Sequence, residues 1–181
     1  MATFYDEIDE KLKVFIEECK IFFVATAAQD GRINLSPKGY ESLAVLDSNR
    51  LIWLNLTGSG NETAAHLQVC NRMTLMFCAF TGPPRILRLY GTANTIHPRD
   101  DAWVGLIPHF EEMAGARQIF DMRVESVQTS CGFGVPLFDF EGQRETLLTK
   151  TEQLGEGGVQ DYWQAKNVSS IDGLPTHIFE D

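Results

Sequence analysis

Ile33-Asn34-Leu35-Ser36-Pro37-Lys38-Gly39, followed one hairpin later by Trp53-Leu54-Asn55-Leu56-Thr57-Gly58-Ser59-Gly60-Asn61-Glu62-Thr63-Ala64-Ala65-His66-Leu67, decides how this chain folds. In the first piece the period-2 alternation of a strand sets Asn34, Ser36 and Lys38 on one face, and predicts that Ile33 and Leu35 turn the other way into a core. The second piece runs a strand into a glycine-punctuated turn and then a helix, which brings free backbone N–H groups and the positive end of a helix dipole to one place. Together they read as a pair that could hold an anion. Ser59-Gly60-Asn61-Glu62 equally fits a capping box, with Ser59 capping the helix and Glu62 reaching back, and a cap needs no ligand. Both readings stand at this point.

Working outward, Phe4 to Cys19 carries apolar residues at 4, 5, 8, 12, 15, 16 and 19, and with Thr3 as N-cap this spacing predicts an amphipathic helix. From Ile21 onward, short runs rich in Ile, Val, Phe and Thr are separated by turn-like Gln29-Asp30-Gly31-Arg32 and Asp47-Ser48-Asn49-Arg50. Antiparallel hairpins follow, with further strands expected at 42–46, 51–57, 73–80, 85–96 and 122–130 and a helix at 60–70. Thr81-Gly82-Pro83-Pro84 must be a turn, because two successive prolines lack ladder donors, so the strands on either side should pair. His97 reads as a boundary residue before a helix opened by Pro98 and acids 100 and 101. Leu147, Leu148, Leu154, Tyr162 and Trp163, interrupted by Gly155-Glu156-Gly157-Gly158, predict a helical appendage in two parts over about 142–181. The whole is expected to be one mainly β domain over 1–181, an antiparallel barrel with peripheral helices.

With 181 residues, 44% hydrophobic, the chain can bury a sizeable core. Its net charge of −10 and pI near 4.8 argue against nucleic acid and anionic membrane surfaces, leaving a small molecule as the expected partner. Met1 to Lys20 mixes acids with apolar residues and lacks the pattern of a secretory signal, and no apolar run reaches the length of a membrane span, so a cytoplasmic location is expected. Cys19, Cys70, Cys78 and Cys131 are scattered without a CxxC pair or a histidine at ligand spacing. They are expected to be free buried thiols, with no metal site. Cys131 lacks a histidine to activate it, and Gln128 to Pro136, rich in small residues, could line a cleft.

The order of helix, strands, Gly/Ser turn, short helix and further strands resembles the pyridoxamine 5'-phosphate oxidase-like family of FMN-binding split barrels, over the chain up to about Gln128. Ile33-Asn34-Leu35-Ser36-Pro37-Lys38 is similar to the family's Arg-x-Val-x-x-Lys at the lysine and not at the arginine, which implies Lys38 as a phosphate or ribityl partner. Trp53-Leu54-Asn55 resembles its Tyr-Thr-Asn strand, where backbone groups would face the flavin ring. The family's Ser-Arg-Lys helix entry falls at Asn61-Glu62-Thr63, without the two cations. The resemblance then leaves neutral donors, Thr57, Ser59, Asn61 and Thr63 around Gly58 and Gly60, with Arg72 or Arg88 to supply charge. Arg88 lies in Arg85-Ile86-Leu87-Arg88-Leu89-Tyr90-Gly91, similar to the family's Arg-Gln-Val-Arg-Val-x-Gly with Ile86 in place of the glutamine.

The family's C-terminal arginine and tryptophan context, which recognises pyridoxal phosphate, is not recognisable in residues 163–176, arguing against vitamin B6 activity. The resemblance implies an FMN-dependent oxidoreductase acting on a small molecule as a homodimer with flavin at the interface. Apolar strand residues Met73, Leu75, Phe77, Ile86 and Leu89 are taken as surplus to a small barrel interior, in line with a dimer. A carrier or sensor without turnover, or a split barrel using deazaflavin or haem, are the other readings.

Overall fold

A computed structural model describes residues 2–179; Met1 and the last two residues of the expected appendage lie outside the described residues. Three hairpins and one long return strand build the sheet. β2 (Phe22–Thr26) pairs β3 (Asn34–Lys38), β4 (Leu43–Asp47) pairs β5 (Arg50–Leu56), and β6 (Arg72–Cys78) pairs β7 (Ile86–Ile96), all antiparallel. β8 (Ala116–Ser130) joins them, lying along β7 on one edge and β5 on the other, in the order β3-β2-β6-β7-β8-β5-β4. The expected barrel is therefore split: β3 and β4 are edges, and among the described residues no ladder closes the sheet between them.

The N-terminal helix starts later than its apolar spacing predicts. Thr3–Tyr5 forms β1, pairing with Val127 to Thr129 of β8 beyond the point where β5 has stopped. Thr-Phe-Tyr favours extended backbone, and the free edge of β8 supplies the partners. Helix α1 (Glu10–Glu18) begins at Asp9, whose carboxylate accepts from Leu12 N–H at 2.8 Å, and buries Leu12 and Ile16.

The inner face of the sheet carries the main core, with Phe22, Val24, Trp53, Leu75, Phe77, Leu87, Leu89, Phe120 and Met122 packed together. Trp53 stacks on Phe120 at 4.4 Å, and at about 25 cal/mol per Å² such large buried rings dominate core stability. Met73, Leu75, Phe77 and Leu89 all belong to this core, so they are no surplus; of the residues set aside for a dimer, only Ile86 is partly exposed. A second cluster, Ile52, Leu54, Leu106 and Ile119, lies on the other face of β5 and β8 under α3 (Asp101–Leu106).

β3 inverts the expected sidedness. Ile33 is 77% exposed and Leu35 64%, while Asn34, Ser36 and Lys38 are half-buried. Pairing of Asn34 with Thr26, Ser36 with Val24 and Lys38 with Phe22 fixes the phase, and those partners are core residues. The polar trio faces inward at the open side of the barrel.

Candidate functional site

At the end of β3 next to α2 (Glu62–Val69), Asn34 Nδ2 donates to Thr26 Oγ1 at 3.4 Å and Thr63 Oγ1 at 3.3 Å, and Thr26 Oγ1 lies 3.1 Å from His66 Nδ1, all beneath the helix. Lys38 is at the other end of the strand, about 13 Å of extended chain away. Its ammonium sits 5.4 Å from the centre of the Trp53 ring. Burial and the neighbouring charge of Arg117 push its pKa down from 10.5 to about 8.

Arg117 is the cation that the sequence pattern conceals. The β5–β8 register shifts between Asn55, opposite Gln118, and Leu56, opposite Ala116, leaving Arg117 as the extra residue of a β-bulge. Only 2% exposed, it donates to Asn167 Oδ1 at 2.6 Å and Gly60 O at 3.1 Å, and among the described residues no carboxylate pairs with it. Burial pulls its pKa down from 12.5 to about 10. A polar Arg-Gln pair between Ala116 and the apolar Ile119-Phe120 was its one signal. Of the cations proposed from sequence, Arg72 is exposed against Cys70 Sγ at 3.2 Å, and Arg88 lies on the outer face of β7, donating to Ser130 Oγ at 3.3 Å. Neither reaches the turn, because alternation along β6 and β7 turns the core residues inward and these two away.

The Gly/Ser turn is braced by the chain's own C-terminus. Asn61, not Ser59, caps α2, and it makes no side-chain cap bond; the Ser59/Glu62 box does not form. Glu62 instead accepts from Ile171 N–H at 3.0 and 3.2 Å. Asn167 donates to Gly58 O at 3.1 Å and accepts, through its own carbonyl, from Asn61 Nδ2 at 3.3 Å. Thr57 Oγ1 donates to Gly115 O and receives Trp163 Nε1–H, both at 2.8 Å. Ser59 and Gly60 stay exposed. Leu54 points into the second apolar cluster, and the backbone of Trp53 and Leu54 has no free edge: β5 is flanked by β4 and β8, and Leu54 N–H donates to Ser42 O at 2.7 Å. The Trp53 indole is wholly buried, with the Lys38 ammonium over its ring. Leu35 and Pro37 are on the outward face of β3.

Among the described residues, the buried side-chain atoms without a partner in this region are the donors Trp53 Nε1, Arg117 Nε and Gln118 Nε2 and the acceptor Asn61 Oδ1; the Gln118 oxygen accepts from Asn55 Nδ2 at 3.2 Å. Orphaned buried polar atoms are costly unless something fills the vacancy. A ligand rich in acceptor oxygens and nitrogens, such as a flavin mononucleotide, fits this donor set.

The profile of the family described as pyridoxamine 5'-phosphate oxidase matches residues 8–131. A curated relative, the pyridoxamine 5'-phosphate oxidase family protein ustO of Aspergillus flavus, is 36% identical over 97% of this chain and 78% of its own. Among solved structures, a Lactobacillus delbrueckii protein provisionally named a pyridoxamine 5'-phosphate oxidase superposes with a TM-score of 0.53, at 20% identity over 68% of this chain and 94% of that one. The tagged HupZ protein of Group A Streptococcus gives a TM-score of 0.52, at 19% identity over 66% and 91%. At these identities the two structures speak for the fold alone.

Proposed function

The chain belongs to the pyridoxamine 5'-phosphate oxidase family, and from that membership we propose that it binds FMN and works as an oxidoreductase on a small molecule, as a single-domain cytoplasmic homodimer. The observation that carries this reading is Arg117, a buried cation without a carboxylate, set at a bulge beside the Gly58–Asn61 turn and accompanied by orphaned donors. Bound FMN supplies the electron or hydride transfer. The chain's own residues do the holding: Arg117, Asn34, Thr63 and the exposed Ser59-Gly60 backbone take the phosphate end, with Ser36 between. Trp53, Lys38 and Gln118 take the ring end. Lys38, whose pKa burial lowers to about 8, offers N–H donors and a charge that is lost as pH rises through about 8.

Among the described residues no helix is long and apolar enough to cross a membrane. The test is a flavin fluorescence-quenching titration, followed by reduction of the loaded protein with NADPH or NADH under air. Saturable FMN binding with continuing oxygen consumption supports an oxidoreductase. Binding without turnover returns the function to a carrier or sensor, and an absorption spectrum of the purified protein without flavin bands, or with those of haem or deazaflavin, overturns the cofactor.

A further inference from the structure

At the end of the barrel away from α2 lies a cavity of about 820 Å³, enclosed by the C-terminus of α1, the end of β3, the β6–β7 turn and residues 138–144. That volume matches a site for a small organic ligand. Its walls are aromatic: Phe15, Phe80, Phe138 and Phe140, with Phe80 and Phe138 ring centres 5.5 Å apart. Its charge runs against the protein. In a chain of 15 basic and 25 acidic residues, the cavity is lined by four cations, Lys20, Lys38, Arg85 and Arg144, and two acids, Glu18 and Asp139.

Lys20 is spent on Glu41 at 3.1 Å, outside this set. Among the described residues the other three cations have no ion-pair partner, and Arg85 lies over the Phe15 ring at 5.2 Å. Three free cations against two acids leave one positive charge. We propose that this cavity is the substrate site and that it takes a monocarboxylate with a bulky aromatic or apolar body, the rings covering the body and Arg85, Arg144 and Lys38 the carboxylate. As a substrate site it rests on the flavin reading, since Lys38 is the residue that the cavity and the proposed ring end share. As a binding site it rests on the cavity alone.

The two are tested separately, with 2-naphthylacetate, its uncharged amide and 2-naphthyl phosphate as probes, each titrated into flavin-free and FMN-supplied protein. Naphthylacetate should bind at least about tenfold more tightly than the amide, the scale of one charge-assisted contact, and more tightly than the doubly charged phosphate. In Arg85→Gln/Arg144→Gln, with Lys38 still in place, that preference should shrink at least about tenfold while FMN affinity and melting temperature hold. Equal binding of acid and amide, a stronger phosphate, or no binding of naphthylacetate below about 1 mM overturns the proposal. Naphthylacetate binding without any FMN binding keeps the carboxylate site and removes the flavin function. FMN binding with no naphthylacetate binding does the reverse.

Discussion

Arg117 and Lys38 divide the proposed cofactor site, and their environments make different demands. Arg117 is sealed among Asn167, Gly60 and the β5–β8 bulge, so Arg117→Gln removes two internal hydrogen bonds as well as the proposed phosphate contact. FMN affinity should fall by about 1.5–3 kcal/mol, with a lowered melting temperature. Lys38→Ala should weaken FMN by a similar amount and leave melting unchanged, because Lys38 makes one ring contact and no ion pair. Fluorescence titration beside thermal melts separates the two. The pH dependence follows from Lys38, whose pKa in the flavin-free fold is lowered to about 8. Below that pH it is charged and attracts the anionic ligand; above it the charge is lost, so FMN affinity should decline as pH rises through about 8, and Lys38→Ala should flatten that decline. Lys38 was legible in sequence because a lysine alternating with Asn34 and Ser36 marks a polar strand face. Arg117 was not, because the bulge that turns it inward exists only once β8 has found its register on β5.

Helix α4 (Thr146–Lys166) and the strap after it, Asn167 to Ile171, hold the Gly/Ser turn through hydrogen bonds. Gly155, at φ +64° and ψ 176°, breaks the helix in two where the sequence placed a Gly-rich interruption, and the second half carries Trp163 onto Thr57 and leads to Asn167. The role of this segment was invisible in composition: Trp163 acts through one hydrogen bond to Thr57, and Asn167 through bonds with Gly58, Asn61 and Arg117, partners far away in the chain that no local period encodes. The capping box failed for a related reason. Glu62 had a longer-range donor, Ile171 N–H, and tertiary contact overrode the local motif. Glu62→Lys should therefore release the strap, costing about 1 kcal/mol of stability in the flavin-free protein, and should tighten FMN at low salt with the gain shrinking as salt is raised. Lower melting with unaltered FMN affinity would place the phosphate away from this turn.

For the whole molecule, the hairpins and their turns were readable because Gly, Asn, Asp and Pro punctuate them, whereas the split between β3 and β4 depends on an edge that no residue announces. The outer face of the sheet is where a partner would sit. Pairing sets Phe4, Gln128, Arg88, Met76, Phe23 and Pro37 in one row across it, and Ser126, Tyr90, Thr74, Ala25 and Leu35 in the next. These rows mix polar with apolar side chains: Phe4 is 63% and Leu35 64% exposed, and Phe23, Ala25 and Met76 between them are half-buried, beside the unpaired edge of β3, a kind of surface that protein association can cover. These residues, not those of the core, support the proposed homodimer. Light scattering at micromolar concentration should give twice 20.3 kDa. Leu35→Lys/Met76→Lys adds charge on this face without touching the main core, so melting of the flavin-free subunit should change little while the mass falls to that of one chain. If the flavin lies between subunits, the same double variant should lose FMN binding although Arg117, Asn34 and Trp53 remain in place. A variant that is monomeric and still binds FMN as tightly as the parent would locate the whole cofactor site within one chain.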